Sequence, residues 1–201
     1  MKRRMFCGAL MICVLSISAY STLYEITPGE YFGSKSLGFG DELHMTGGWG
    51  EDINMSGNSL ANIYATDAGK QILNINAGSN STLNIYGGTI GEVELVNTNT
   101  TVIKGGSIGA LISAQKVTGE GGIVIPMTTL YVLSGWSYNN TTMILTGQWM
   151  DSTPFSIQLE DKYGISTFNN LNIIPEPCSL ILFGLAGLVY RCSRTSCHGT
   201  L

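Results

Sequence analysis

The chain has 201 residues, of which 12% are charged, with 26 glycines and a formal net charge of −4. Between Thr22 and Asn172 it carries thirteen carboxylates and five lysines but no arginine. It therefore lacks the clustered cations that nucleic acid or an anionic lipid surface would require. All five cysteines (Cys7, Cys13, Cys178, Cys192 and Cys197) lie near the ends, so the central region folds without a disulfide.

At the N-terminus, Lys2-Arg3-Arg4 precedes an apolar stretch from Met5 to Ile17, with Ser16, Ser18, Ala19 and Ser21 at its exit. A positive head, a short apolar run and small residues describe a secretory signal peptide over 1–21, cut after Ser18 or Ser21. Cys7 and Cys13 lack the small residues that a lipoprotein signal places before its cysteine.

The region that follows is long enough for one domain with a sizeable core. Gly, Asn, Ser and Thr alternate with β-branched residues, which favours short strands and many turns over helices. Every tenth position from 43 is aliphatic: Leu43, Ile53, Ile63, Leu73, Leu83 and Val93. Two residues later the same spacing gives Met45, Met55, Ala65, Ile75, Ile85 and Leu95, with polar or amphipathic residues between, among them His44, Asn54, Tyr64, Asn74 and Asn84. Apolar residues at i and i+2 mark a strand with one face inward. The first set is expected to be buried and the intervening set to face out. On that register Ile75→Asp should destabilise strongly and Asn74→Asp should cost little.

Tyr86-Gly-Gly-Thr-Ile-Gly91 returns as Lys104-Gly-Gly-Ser-Ile-Gly109. One strand and one turn per unit, two units per coil of 18 to 20 residues, predicts a short parallel β-solenoid over 22–122 in an all-β protein. An antiparallel β-sandwich is the alternative, since it too spaces strands by 8–12 residues. After Gly121-Gly122 longer strands appear with Trp136 and Trp149, and 123–172 is expected to form a terminal β-sheet cap.

Few residues in this region suit chemistry. His44 is the only histidine before the C-terminal tail, so a nucleophilic triad has no partner; solenoid lyases generally use Arg or Lys as base or stabiliser, and this region has no arginine. Asp41, Glu42, Glu51 and Asp52 fall on two successive glycine turns, Gly38-Phe-Gly-Asp-Glu and Gly48-Trp-Gly-Glu-Asp. They are weak candidates for sharing Ca²⁺, a cation that takes six to eight oxygens; solvated turns are the simpler reading. No cofactor is expected. Cys192, Cys197 and His198 read as incidental rather than as a zinc site. Asn80-Ser-Thr82, Asn99-Thr-Thr101 and Asn140-Thr-Thr142 are expected in exposed loops. Trp49, Trp136 and Trp149 could serve as sugar-stacking platforms, so a carbohydrate-binding module or a carbohydrate-active enzyme is the rival to a structural protein.

The C-terminus is the most specific segment. Pro175-Glu176-Pro177 leads into the uncharged run Cys178–Tyr190, closed by Arg191 and Arg194, with 195–201 trailing. An apolar run stopped by arginines is a membrane address with the cations on the cytoplasmic side. Over roughly Pro175 to Arg194 the order of motif, apolar run and basic end resembles the PEP-CTERM sorting signal of bacterial envelope proteins. Leu145–Phe155, with Gly147, Thr153 and Pro154, resembles the strand-turn-strand that precedes that signal in glycine-rich members. The resemblance implies a bacterial exported protein, passed by the secretion machinery to the inner membrane. Its transmembrane segment over 173–194 would hold a precursor that an exosortase-type enzyme processes at Pro175, Glu176 and Pro177. The product would be a non-enzymatic structural protein of the cell envelope or extracellular matrix, with exopolysaccharide as a candidate partner outside the cell and no nucleic acid.

Overall fold

The computed structural model describes residues 21–97, 99–114 and 128–175. The segments expected to be the signal peptide and the transmembrane run lie outside them, apart from Ser21 and the stretch 173–175. Among the described residues no helix is long and apolar enough to cross a membrane.

The described chain is all-β, and its strands alternate between two sheets. One sheet holds β1 (Leu23–Ile26), β4 (Glu42–Met45), β6 (Leu60–Ile63), β8 (Thr82–Ile85), β10 (Thr100–Ile103), β12 (Thr128–Val132) and β16 (Leu171–Pro175), in that order. The other holds β2 (Tyr31–Phe32), β3 (Lys35–Leu37), β5 (Trp49–Met55), β7 (Ile72–Ala77), β9 (Thr89–Val96), β11 (Ser107–Ala114) and β15 (Pro154–Leu159). Beyond β15 this second sheet continues into β14 (Ile144–Gln148) and β13 (Ser137–Asn139). Every pair within these sheets is parallel except β13–β14 and β14–β15. Parallel neighbours need a crossover, and here the crossover from one strand to the next of its sheet is a strand of the opposite sheet. That arrangement is a β-solenoid and excludes the sandwich.

Stacking follows the chemistry of the rows. Met45, Ile63, Ile85, Ile103 and Leu130 lie in register through the first sheet and are all fully buried. Ile53, Ile75, Val93, Leu111 and Leu159 do the same in the second. The Gly-Gly-x-Ile-Gly repeat is one coil: Ile90 pairs with Ile108, and Gly88 (φ 91°) lies beneath Gly106 (φ 98°) with both in the left-handed region.

The ten-residue row needs one correction. Five of its six members are fully buried, but Leu73 is 45% exposed. The turn from Tyr64 to Gln71, between β6 and β7, has eight residues where Thr46–Gly48, Tyr86–Gly88 and Lys104–Gly106 have three. Leu43 therefore stacks on Ala61 eighteen residues on, whereas Ala61 stacks on Leu83 after twenty-two. The longer turn shifts the phase, so Ala65 falls in a turn and Ile72 and Ile75, not Leu73, enter the core. The second-sheet strands also bend: between Ile72 and Ile75, Ile90 and Val93, and Ile108 and Leu111, two successive residues point outward. Strict alternation cannot predict that corner.

Candidate functional site

Three surface features arise from the stacking. The first is a set of polar ladders. Asn84 Nδ2 donates to Asn62 Oδ1 (2.9 Å), and Asn62 Nδ2 lies 3.4 Å from His44 Nε2. On the second sheet Asn76 donates to Asn54 (3.0 Å), and Asn74 donates to Asp52 Oδ1 (2.8 Å). Parallel strands place like side chains about 4.8 Å apart, so these amides satisfy one another along the axis. The second feature is an aromatic stripe at the exit of the first sheet. Tyr64 and Tyr86 stack with centroids 4.9 Å apart and planes 7° apart, and Lys104 Nζ sits over Tyr86 and Tyr131. Tyr64 and Tyr86 turn ring faces toward each other, so there the stripe shows solvent mainly ring edges.

The third feature is a depression on the second sheet, about 400 Å³ in volume. Tyr31 and Trp49 lie in register on β2 and β5, with centroids 5.9 Å apart and planes tilted by 43°. The Tyr31 hydroxyl donates to Glu51 Oε1 (3.0 Å), and that bond raises the phenol above its ordinary pKa. Lys70 Nζ lies 5.0 Å from the Trp49 ring centroid. Gly69, Gln71 and the exposed Leu73 complete the rim.

The acidic turns do not form one cluster. Asp41 Oδ2 accepts from Gly38 N (2.8 Å) and its Oδ1 from Thr22 N (2.9 Å). These backbone donors hold its carboxyl below the usual range, Gly38 contributing most. Glu42 stands on β4 in the first sheet, 3.7 Å from His44 Nε2. Glu51 and Asp52 stand on β5 in the second, bound to Tyr31 and to Ser34 and Asn74. Among the described residues no three His, Cys, Asp or Glu side chains converge where a metal could bind. Asp41, Glu51 and Asp52 each have hydrogen-bond donors of their own and Glu42 stands beside His44, which the turn repeat could not reveal.

Of the three tryptophans weighed as platforms against a core role, Trp149 is fully buried and donates from Nε1 to the Gly106 carbonyl (2.8 Å). Trp136 packs against Phe168 and the core. Only Trp49 borders the depression. The Asn99 triplet does not lie in an exposed loop: the residue is buried, and its Nδ2 donates to the Ala77 and Val96 carbonyls. Asn80 and Asn140 are exposed. Of the sorting-signal residues, Pro175 is the exposed last residue of β16, paired with Val132. Glu176, Pro177, Arg191 and Arg194 lie outside the described residues, as do the terminal cysteines and His198. Compared with protein-family models, with curated proteins and with solved structures, the chain matches none.

Proposed function

We propose that this chain is an exported structural protein of the bacterial envelope or extracellular matrix, anchored as a precursor by its C-terminal apolar run and released by an exosortase-type enzyme. The observation that carries the reading is the Pro175-Glu176-Pro177 motif, followed by the run 178–190 and by Arg191 and Arg194. Its position supports it: β16 ends at Pro175, the exposed end of an edge strand, so the motif begins where the last described strand ends. A cut there would leave the coils intact. The β13–β15 extension acts as a cap on the second sheet, whose stack of parallel strands it ends in an antiparallel pairing. The role is mechanical and not catalytic: the ladder amides and the acidic turns hydrogen-bond to one another and to the backbone. The N-terminal residues 1–21 direct export.

Pro177 disfavours helix at Glu176, and Pro175 does so at Ile174, which keeps the approach to the membrane extended and open to a membrane-embedded enzyme. Replacing Pro175-Glu176-Pro177 by alanines is expected to leave export unchanged and to trap the longer, membrane-retained precursor. Intact masses of the cellular and released forms decide it. A released product of unchanged mass from the alanine variant would overturn the proposal.

A further inference from the structure

The Tyr64–Gln71 turn departs from the repeat, with eight residues where its counterparts have three, and side chains tie it down. Asp67 accepts from Gly29 N (2.9 Å) and Gly48 N (2.7 Å), tying the turn to two coils below. Thr66 Oγ1 accepts from Thr89 N (2.9 Å), tying it to the coil above. Yet Ala68, Gly69, Lys70 and Gln71 are all exposed, so these bonds hold up a wall and not a piece of core. In repeat proteins, insertions of this kind gather on one face, and that face commonly binds.

The wall stands beside the Tyr31–Trp49 corner. Tyr31 is 57% exposed, but its hydroxyl is anchored on Glu51, which keeps the ring upright in place of a floating surface side chain. Leu73 adds apolar surface at a bend that the next two coils fill with Gly91 and Gly109. Lys70 lies over Trp49 on an exposed, flexible stem, so a ligand can displace it from the ring and then take its hydrogen bonds. Further along the axis, Tyr31, Trp49, Gln71, Thr89 and Ser107 form one outward row at the strand spacing of about 4.8 Å, beside the low glycine bend.

We infer that this depression is a binding subsite for a neutral polysaccharide, seating one pyranose ring against Tyr31 and Trp49. Pyranose rings present C–H faces to aromatic rings and hydroxyls at their rims. The rims here meet an acceptor in Glu51, a donor in Lys70 and both in Gln71. A proline-rich peptide would offer chiefly carbonyl acceptors, which suit Lys70 and Gln71 but give Glu51 no donor beyond the Tyr31 hydroxyl it already has. An anionic glycan would face the Glu51 carboxylate with Lys70 alone to offset it. The outward row lets the chain run along the solenoid over Thr89 and Ser107. This inference stands apart from the processing reading and survives its failure.

The test uses the full-length chain in a detergent whose head group is not a sugar, titrated with cellohexaose, maltohexaose, xylohexaose and chitohexaose. Binding is followed by tryptophan fluorescence and by calorimetry. Saturable binding of at least one is expected. Tyr31→Ala and Trp49→Ala should each weaken it about tenfold or more, while Tyr163→Ala, which removes an exposed ring in the turn between β15 and β16, leaves it unchanged. Tyr31 is largely exposed, so its variant reports on binding without loss of fold, and melting curves verify this. No saturable binding to any of the four at millimolar concentration would overturn the inference. So would binding indifferent to both aromatic variants, or tighter binding of a proline-rich decapeptide at the same site.

Discussion

At the level of single residues, neighbours in the next coil decide what a substitution costs. Ile75 and Asn74 are adjacent in sequence and opposite in environment. Ile75 is fully buried in the row of Ile53 and Val93, so Ile75→Asp would bury an unpaired carboxylate and is expected to cost about 3 kcal/mol or more. Outward position alone makes Asn74→Asp look harmless. Its amide, however, donates to Asp52 Oδ1 at 2.8 Å, so the variant would set two carboxylates face to face. A penalty of about 1 kcal/mol is expected at neutral pH. The sign is fixed by the charge: two carboxylates repel one another only while both are ionised. The penalty is therefore present at neutral pH and is lost in acid. Urea midpoints of the two variants at neutral pH and near pH 3 measure both effects, and a pH-independent loss at Asn74 would rule out the ladder contact.

At the level of strands and turns, glycine sets how closely coils approach. A Cβ on Gly109 would lie 2.6 Å from the Gly91 carbonyl oxygen, a backbone atom that cannot swing away. Gly109→Ala is therefore expected to force β9 and β11 apart at their bend and to destabilise by about 1–3 kcal/mol. Gly33 provides the control, since a Cβ there meets nothing within 4 Å and its φ is not in the left-handed region. Thermal melts of Gly33→Ala and Gly109→Ala should differ accordingly; equal midpoints would mean that the bend is not packed as described. The Gly-Gly-x-Ile-Gly repeat announced this coil in the sequence because stacked glycines are needed twice, once in each coil.

For the whole molecule, stability should vary along the axis. Each coil packs mainly against the coils directly above and below it, so the ends have one such neighbour and the middle has two. Native-state hydrogen exchange is expected to protect the amides of β7, β8, β9 and β10 most, while β1, β13 and β16 exchange first, since they are edge strands of their sheets. Uniform protection from β1 to β16 would contradict a stack with independently fraying ends.

Much of this architecture was legible in the chain alone. A repeat of aliphatic residues at i and i+2, with an eighteen-residue return of Gly-Gly-x-Ile-Gly, requires like residues on like residues. Parallel stacking meets that requirement, and the buried rows through Ile53, Ile85 and Leu111 follow from it. The terminal motifs were read from linear chemistry alone (charge, apolar length and proline order), and apart from Ser21 and 173–175 they lie outside the described residues. Tertiary structure alone decided three other things. The eight-residue turn moved Leu73 from core to surface, since phase along a coil accumulates over turns that periodicity averages away. Asn99 became a buried bond donor, because its fate depends on the Ala77 carbonyl one coil below. Tyr31 and Trp49, eighteen residues apart, became one aromatic corner when β2 and β5 paired in parallel register. Contacts of this last kind run across the coils, and no local pattern in a single chain encodes them.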